Sequence, residues 1–148
     1  MEKPILIKGD SVVDHRGKVS FVNDFDFKDI KRFYFSQNHQ ANFVRAWQCH
    51  KHEAKYFTVI QGTALICTVK IDNWNNPSKD LPIQEFIISA EKPTILRIPK
   101  GFANGIMNFS KDTKILIFAT TTLSETSQDD IRLAPDYWNP WKKVVKSL

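Results

Sequence analysis

Cysteine is scarce in this chain. Of 148 residues only Cys49 and Cys67 carry thiols; two thiols make no disulfide framework, and their spacing matches no zinc motif. Such usage suits a reducing compartment. Long apolar runs are missing as well: the longest, such as Ile115 to Ala119, have the length of a strand rather than of a membrane span. The apolar part of the opening Met1-Glu-Lys-Pro-Ile-Leu-Ile-Lys-Gly9 is too short for a secretion signal. The expectation is a cytoplasmic protein with no membrane partner. Nor is charge of one sign concentrated. Twenty-one Lys and Arg stand against 16 Asp and Glu, a net charge of +5. That is a mild attraction for anions such as nucleotide diphosphates. The basic residues are scattered, without the aromatic-interleaved patch of a nucleic-acid binder, so no nucleic-acid partner is expected.

Sustained helical periodicity, internal repeats and low-complexity linkers are absent too. What fills the chain is a succession of short runs rich in Phe, Tyr, Trp, Val, Ile and Thr, residues that suit a pleated, half-buried surface. Strands are predicted over Ile5–Lys8, Lys18–Asn23, Arg32–Gln37, Phe43–His50, Tyr56–Ile60, Ala64–Ile71, Glu85–Ser89, Thr94–Ile98, Gly105–Asn108 and Lys114–Thr120. Gln61-Gly62-Thr63 reads as a hairpin turn and Asn73 to Asp80 as a polar loop. Helices are expected only around Asp26–Lys31 and in the tail after Pro140. Hydrophobic residues make up 42% and charged residues 25%, a balance that lets one domain, residues 1–148, build its own core. About ten short strands in such a length mean an all-β barrel or sandwich, of which the jelly roll is the commonest form.

The densest chemistry lies in Arg45-Ala-Trp-Gln-Cys-His-Lys-His-Glu-Ala-Lys55. With Gly62 it reads Gln48-x-His50-x4-Lys55-x6-Gly62, which resembles the first cupin motif, His-x-His-x4-Glu-x6-Gly. Pro99-Lys-Gly101-Phe-Ala-Asn104-Gly-Ile-Met-Asn108 resembles the second, Pro-x-Gly-x2-His-x3-Asn. In metal-binding cupins the two histidines, the glutamate and the last histidine are the ligands. Here those positions hold Gln48, His50, Lys55 and Asn104. A lysine ammonium in place of the carboxylate repels a divalent cation, so no metal is expected. Glu53, next to His52, is read as facing away from the site.

A metal-free cupin with Arg, His and Lys along the barrel is similar to the dTDP-4-dehydrorhamnose 3,5-epimerases and the WxcM-like dTDP-sugar 3,4-ketoisomerases. The resemblance runs from Asp14-His-Arg-Gly17 to Trp138. It includes Arg45-Ala-Trp-Gln48, Lys55, Ile60-Gln-Gly62 and Ile98-Pro-Lys-Gly-Phe-Ala-Asn-Gly105. It implies a jelly-roll cupin (double-stranded β-helix) barrel with a short C-terminal helical tail. It also implies an isomerase without cofactor, acting on a nucleotide-diphosphate sugar in surface-polysaccharide synthesis, and a homodimer. The reaction takes a proton from a carbon next to a carbonyl, which calls for a base and for cations at the developing enolate. The resemblance gives His50 as base, Lys55 and Arg45 as enolate or phosphate stabilisers, and Gln48 and Asn104 as partners of sugar hydroxyls. It gives Arg16 as a nucleotide ligand and Trp138 as a platform for the base. Two positions depart from the epimerases: Gln48 stands where their base histidine falls, and Thr120-Thr-Thr-Leu123 lacks their tyrosine. A single epimerisation or a keto shift follows more readily than a double epimerisation, and a sugar-nucleotide binder or regulator without activity is the alternative. Strict alternation turns Arg45 away from Gln48 and His50; only a bulge or a dimer interface brings it in.

Overall fold

The computed structural model describes residues 2–142. Its strands are β1 (Ile5–Lys8), β2 (Asp10–Asp14), β3 (Gly17–Phe21), β4 (Arg32–Ser36), β5 (Val44–Cys49) and β6 (Lys55–Gln61). They continue with β7 (Thr63–Lys70), β8 (Gln84–Ser89), β9 (Thr94–Ile98), β10 (Phe102–Asn108) and β11 (Lys114–Ala119). A short helix, α1 (Leu123–Ser127), and a two-residue strand, β12 (Ile131–Arg132), complete them. Two five-stranded antiparallel sheets face each other, in the orders β1-β9-β6-β11-β4 and β12-β5-β10-β7-β8, and β2 and β3 form a separate two-stranded ribbon.

Alternation sets the inner faces. On β6, Phe57 and Val59 are buried inward while Thr58 and Ile60 lie outward. On β11 the inward set is Ile115 and Ile117. With Ala64, Ile66, Ile88, Leu96, Ile98, Phe102 and Ile106 these side chains form the core between the sheets. Full burial of each large aliphatic or aromatic group stabilises by roughly 1.5–3 kcal/mol. A second apolar cluster lies on the outer face of the β5-β10-β7 sheet, where Trp47, Cys49, Leu65, Cys67, Val69 and Met107 are covered by Trp138 and Trp141. Gly105 permits that cover: a Cβ there would lie 2.8 Å from Trp141 Cζ2.

Several expectations are corrected. Gln61-Gly62-Thr63 is no hairpin: β6 pairs with β9 and β11, and β7 with β10 and β8. The turn carries the chain from one sheet to the other, with Gly62 at φ 79°. Asp26–Lys31 is not helical, because Phe25 and Phe27 are anchored on Phe118 and hold the segment as a loop. Beyond Pro140 the expected helical tail falls largely on residues 143–148, outside the described residues. The strand β2 was not foreseen.

Candidate active site

Register brings the polar residues together. On the inner face of the first sheet Arg32 pairs with Ala119 and Ala119 with Lys55, while Tyr34 pairs with Ile117 and Ile117 with Phe57. On the facing sheet Gln48 pairs with Asn104. The next β10 partner, Ile106, pairs with Arg45, so one residue of β10 stands opposite two of β5. This bulge delivers Arg45 to the same cavity as Gln48, within a single chain. The α1 residues Leu123, Thr126 and Ser127, with Asp130 and Arg132, wall the mouth of a cavity of about 390 Å³.

Lys55 and Gln48 meet across the barrel: Lys55 Nζ donates to Gln48 Oε1 at 2.7 Å. Gln48 Nε2 donates to Asp130 Oδ1 at 3.3 Å, and Asp130 is ion-paired with Arg132 at 3.1 Å. Asn104 Nδ2 donates to the Gln48 carbonyl at 3.3 Å, and Arg45 Nε to Asn38 Oδ1 at 3.1 Å. Behind Lys55 lies Glu53, which is buried. Its Oε1 accepts from Thr121 Oγ1 at 2.5 Å and Arg32 at 3.1 Å; its Oε2 lies 3.6 Å from Lys55 Nζ and 3.4 Å from His50 Nε2. The reading of Glu53 as facing away is therefore overturned: β5 ends at Cys49, the loop before β6 breaks the alternation, and the carboxylate turns inward.

His50 does not line the cavity. Its Nδ1 lies 2.7 Å from the Asp129 carbonyl. A carbonyl only accepts, so Nδ1 carries the hydrogen and Nε2 is left facing Glu53. The loop is stitched in place by Asp129, whose carboxylate accepts from the backbone N–H of Lys51 and His52 at 2.9 and 2.8 Å.

Electrostatics follow from this packing. Burial drives the Lys55 ammonium down to about 8, against the pull of Glu53. Burial pushes the Glu53 carboxyl up, but the Thr121 hydrogen bond and the charges of Lys55, His50 and Arg32 outweigh it and leave Glu53 below its usual range. Burial and the neighbouring Lys55 hold His50 below the usual imidazole value. Burial, then Glu53, raises the Tyr34 phenol to about 12.

Of the residues singled out in the sequence, Lys55, Gln48, Arg45 and Asn104 line the cavity and His50 sits behind its wall. Arg16 does not line it. It stands exposed at the tip of the β2–β3 ribbon, bound to Asp14 at 2.6 Å. Trp138 is not a platform in this cavity: it is buried edge-on against Trp47 and donates its indole N–H to the Ser78 carbonyl at 3.0 Å. Sequence reasoning missed Arg32, Tyr34, Glu53, Asp130 and Arg132. Arg32 and Tyr34 carried a signal, two polar-capable side chains at i and i+2 of a predicted strand, alternating with Phe33 and Phe35. Among the described residues, no group of three or more His, Cys, Asp or Glu is arranged to hold a metal ion.

Two facing antiparallel sheets with a polar cavity between them define a cupin-type β-barrel. Within that class the chain belongs to the WxcM-like, C-terminal (FdtA) family, whose profile matches residues 3–140. Among solved structures it is similar to the dTDP-4-dehydrorhamnose 3,5-epimerase of Bacillus anthracis with TDP and pyrophosphate bound (TM-score 0.75, 19% identity, covering 93% of this chain and 84% of that one). It is similar to ChmJ, a 3′-monoepimerase of Streptomyces bikiniensis in complex with dTDP-quinovose (0.76, 14%, 95% and 75%). It is similar also to a double mutant of the QdtA 3,4-ketoisomerase of Thermoanaerobacterium thermosaccharolyticum in complex with TDP (0.68, 22%, 97% and 96%). At these identities the likeness is one of fold. No curated protein matches the chain in sequence.

Proposed function

We propose that this protein is an epimerase or ketoisomerase of a nucleotide-linked 4-keto-6-deoxy sugar, working by proton transfer next to the carbonyl without a metal. The observation that carries this reading is the convergence of four cationic side chains, Arg32, Arg45, Lys55 and Arg132, on one cavity that also presents Gln48, Asn104 and Tyr34. The guanidinium groups suit a diphosphate. The uncharged polar groups suit sugar hydroxyls, and the permanently charged guanidinium groups supply cations for a developing enolate oxygen. The donor set suits an anion and not a divalent cation, since three guanidinium groups and an ammonium line it. The fold relatives' complexes with TDP and dTDP-quinovose support the substrate class.

The finer parts of the proposal are a cytoplasmic homodimer in surface-polysaccharide (O-antigen) sugar synthesis. The dimer is supported by the outer face of β4 and β11, where Phe33 and Phe35 are 61% and 64% exposed beside Phe27 at 60%. An apolar face of this kind at a sheet edge favours a second copy. Arg16, outside its own chain's cavity, serves nucleotide binding only in the site of such a second copy. Trp138, buried in its own chain, is withdrawn from the binding set. The reading of a binder without activity is favoured by one observation, the amide of Gln48 at the place of a base.

The experiment is calorimetric titration with dTDP, wild type beside Arg45→Ala, followed by NMR of dTDP-4-keto-6-deoxyglucose incubated with the protein. Saturable binding and a new sugar product support the enzyme. Binding without product supports the binder, and absence of nucleotide binding refutes both.

A further inference from the structure

The cavity wall holds six ionisable side chains: Arg32, Tyr34, Arg45, Lys55, Asp130 and Arg132. The three guanidinium groups keep their protons at any working pH. Asp130 lies at the mouth, bound to Arg132 and Gln48. Burial, then Glu53, keeps the Tyr34 phenol protonated, so it is no base. Among the described residues, only Lys55 presents a nitrogen that can take a proton from the cavity and give it back. His50, by contrast, has one ring nitrogen on the Asp129 carbonyl and the other beside Glu53, and it is not part of the cavity lining.

Resting on the functional reading above, we propose that Lys55, and not His50, moves the substrate proton, with Glu53 and His50 as positioning residues behind it. Every packed element presents its groups to Lys55: Gln48 from β5, Glu53 and His50 from the loop before β6, Arg32 and Tyr34 from β4, and Asp130 from the segment after α1. Gln48 and Glu53 both reach Nζ, at 2.7 and 3.6 Å. The neutral amine takes the proton from the carbon next to the carbonyl. The C–H electron pair becomes the enolate double bond, and the carbonyl π pair moves to oxygen. The ammonium so formed lies beside Glu53 and gives one of its three equivalent protons back to carbon, so no co-reactant is consumed and, in D2O, the deuterated amine delivers label to the sugar. Apart from Asp130 at the mouth, none of the residues by which the facing sheet lines the cavity, on β5, β10 and β12, accepts a proton. The proton therefore leaves and returns on one face. That geometry suits a keto shift, in which the neighbouring carbon is protonated and the hydroxyl proton passes between the two adjacent oxygens.

The test follows solvent-deuterium exchange into dTDP-4-keto-6-deoxyglucose across pH 6 to 10, with dTDP binding as the check of folding. Neutral lysine is the active form, so the rate rises with pH through about 8 and then levels. Lys55→Ala, still binding dTDP, loses at least about a hundredfold in rate, and ethylamine restores it in proportion to its concentration. Glu53→Gln moves the rising limb to lower pH, because the carboxylate no longer favours the ammonium. His50→Asn keeps the limb near 8. Exchange that persists in Lys55→Ala, or a wild-type rate already level from pH 7 to 9 and lost in His50→Asn, overturns the assignment while leaving the enzyme reading intact. Wild-type protein that binds dTDP yet exchanges nothing overturns the enzyme reading, and the assignment with it.

Discussion

Replacing Glu53 by Gln keeps the side chain's shape and removes a buried charge on which two cationic groups, Arg32 and Lys55, and the imidazole of His50 converge. Arg32 lies at 3.1 Å, Lys55 at 3.6 Å and His50 at 3.4 Å. The Arg32 side chain is 23% exposed and retains water, whereas Lys55 is 3% exposed and carries most of the uncompensated charge. Breaking a buried pair by removing one partner costs about 3–5 kcal/mol. The amide can still accept from Thr121, so the loss belongs at the lower end, about 3 kcal/mol. In a chain of this length that lowers Tm by about 10 °C. Urea unfolding followed by tryptophan fluorescence suits the measurement, since Trp47, Trp138 and Trp141 are buried together. The loss depends on pH with a definite sign. Below about 8 Lys55 is charged in the wild-type protein, whereas in the variant, without its anion, it gives up the proton at lower pH. The gap between wild type and variant is thus widest on the acid side, narrows as pH rises to about 8 and is flat beyond it. A gap under about 1 kcal/mol at pH 7, or one that widens towards pH 9, would refute the reasoning.

Arg45→Ala removes a charged donor at the mouth and weakens dTDP binding by roughly ten- to a hundredfold, as expected for hydrogen bonds to a charged group; unchanged affinity in calorimetry removes Arg45 from the binding set. Trp138→Ala costs about 3–5 kcal/mol of stability through the cavity it leaves against Trp47, with dTDP affinity unaltered in the folded fraction; a selective loss of affinity reinstates Trp138 as a nucleotide contact. Gly62→Ala costs about 2 kcal/mol, because its φ is 79° and the new Cβ would lie 2.5 Å from Thr113 Oγ1; urea unfolding with no shift in midpoint contradicts that geometry. Phe33→Asp converts the expected dimer to monomer in sedimentation, and an unchanged mass places the contact elsewhere.

Where alternation governs, the sequence spoke clearly. The strands from β4 to β9 and β11 lie within a residue or two of their predicted ends, because Phe57 and Val59 alternate with outward residues as a half-buried strand must. β10 was read too short at its start: it is central and buried along its whole length, so Phe102 to Asn104 show no alternation. β2 was missed because Asp10 to Asp14 pairs only with β3 and is mostly exposed, with Val12 and Val13 in solvent. Gly62 was recognised as a turn, but which sheet the chain enters next is a long-range matter that three residues cannot encode. The same limit governs the site. The motif spacing located Gln48, Lys55 and Asn104, whose alternation is intact. It misplaced Glu53 and His50, which follow the end of β5, and it left Arg45 open because a bulge depends on the pairing of β5 with β10.

The most direct test of the account is the position of deuterium uptake by dTDP-4-keto-6-deoxyglucose, read by NMR in the presence of metal-stripped wild-type protein. One-face proton transfer from Lys55 predicts loss of the C3 proton, deuterium at C4 of an accumulating 3-keto product, and no label at C5. Label at C5, or no label anywhere while the sugar nucleotide remains bound, would contradict it.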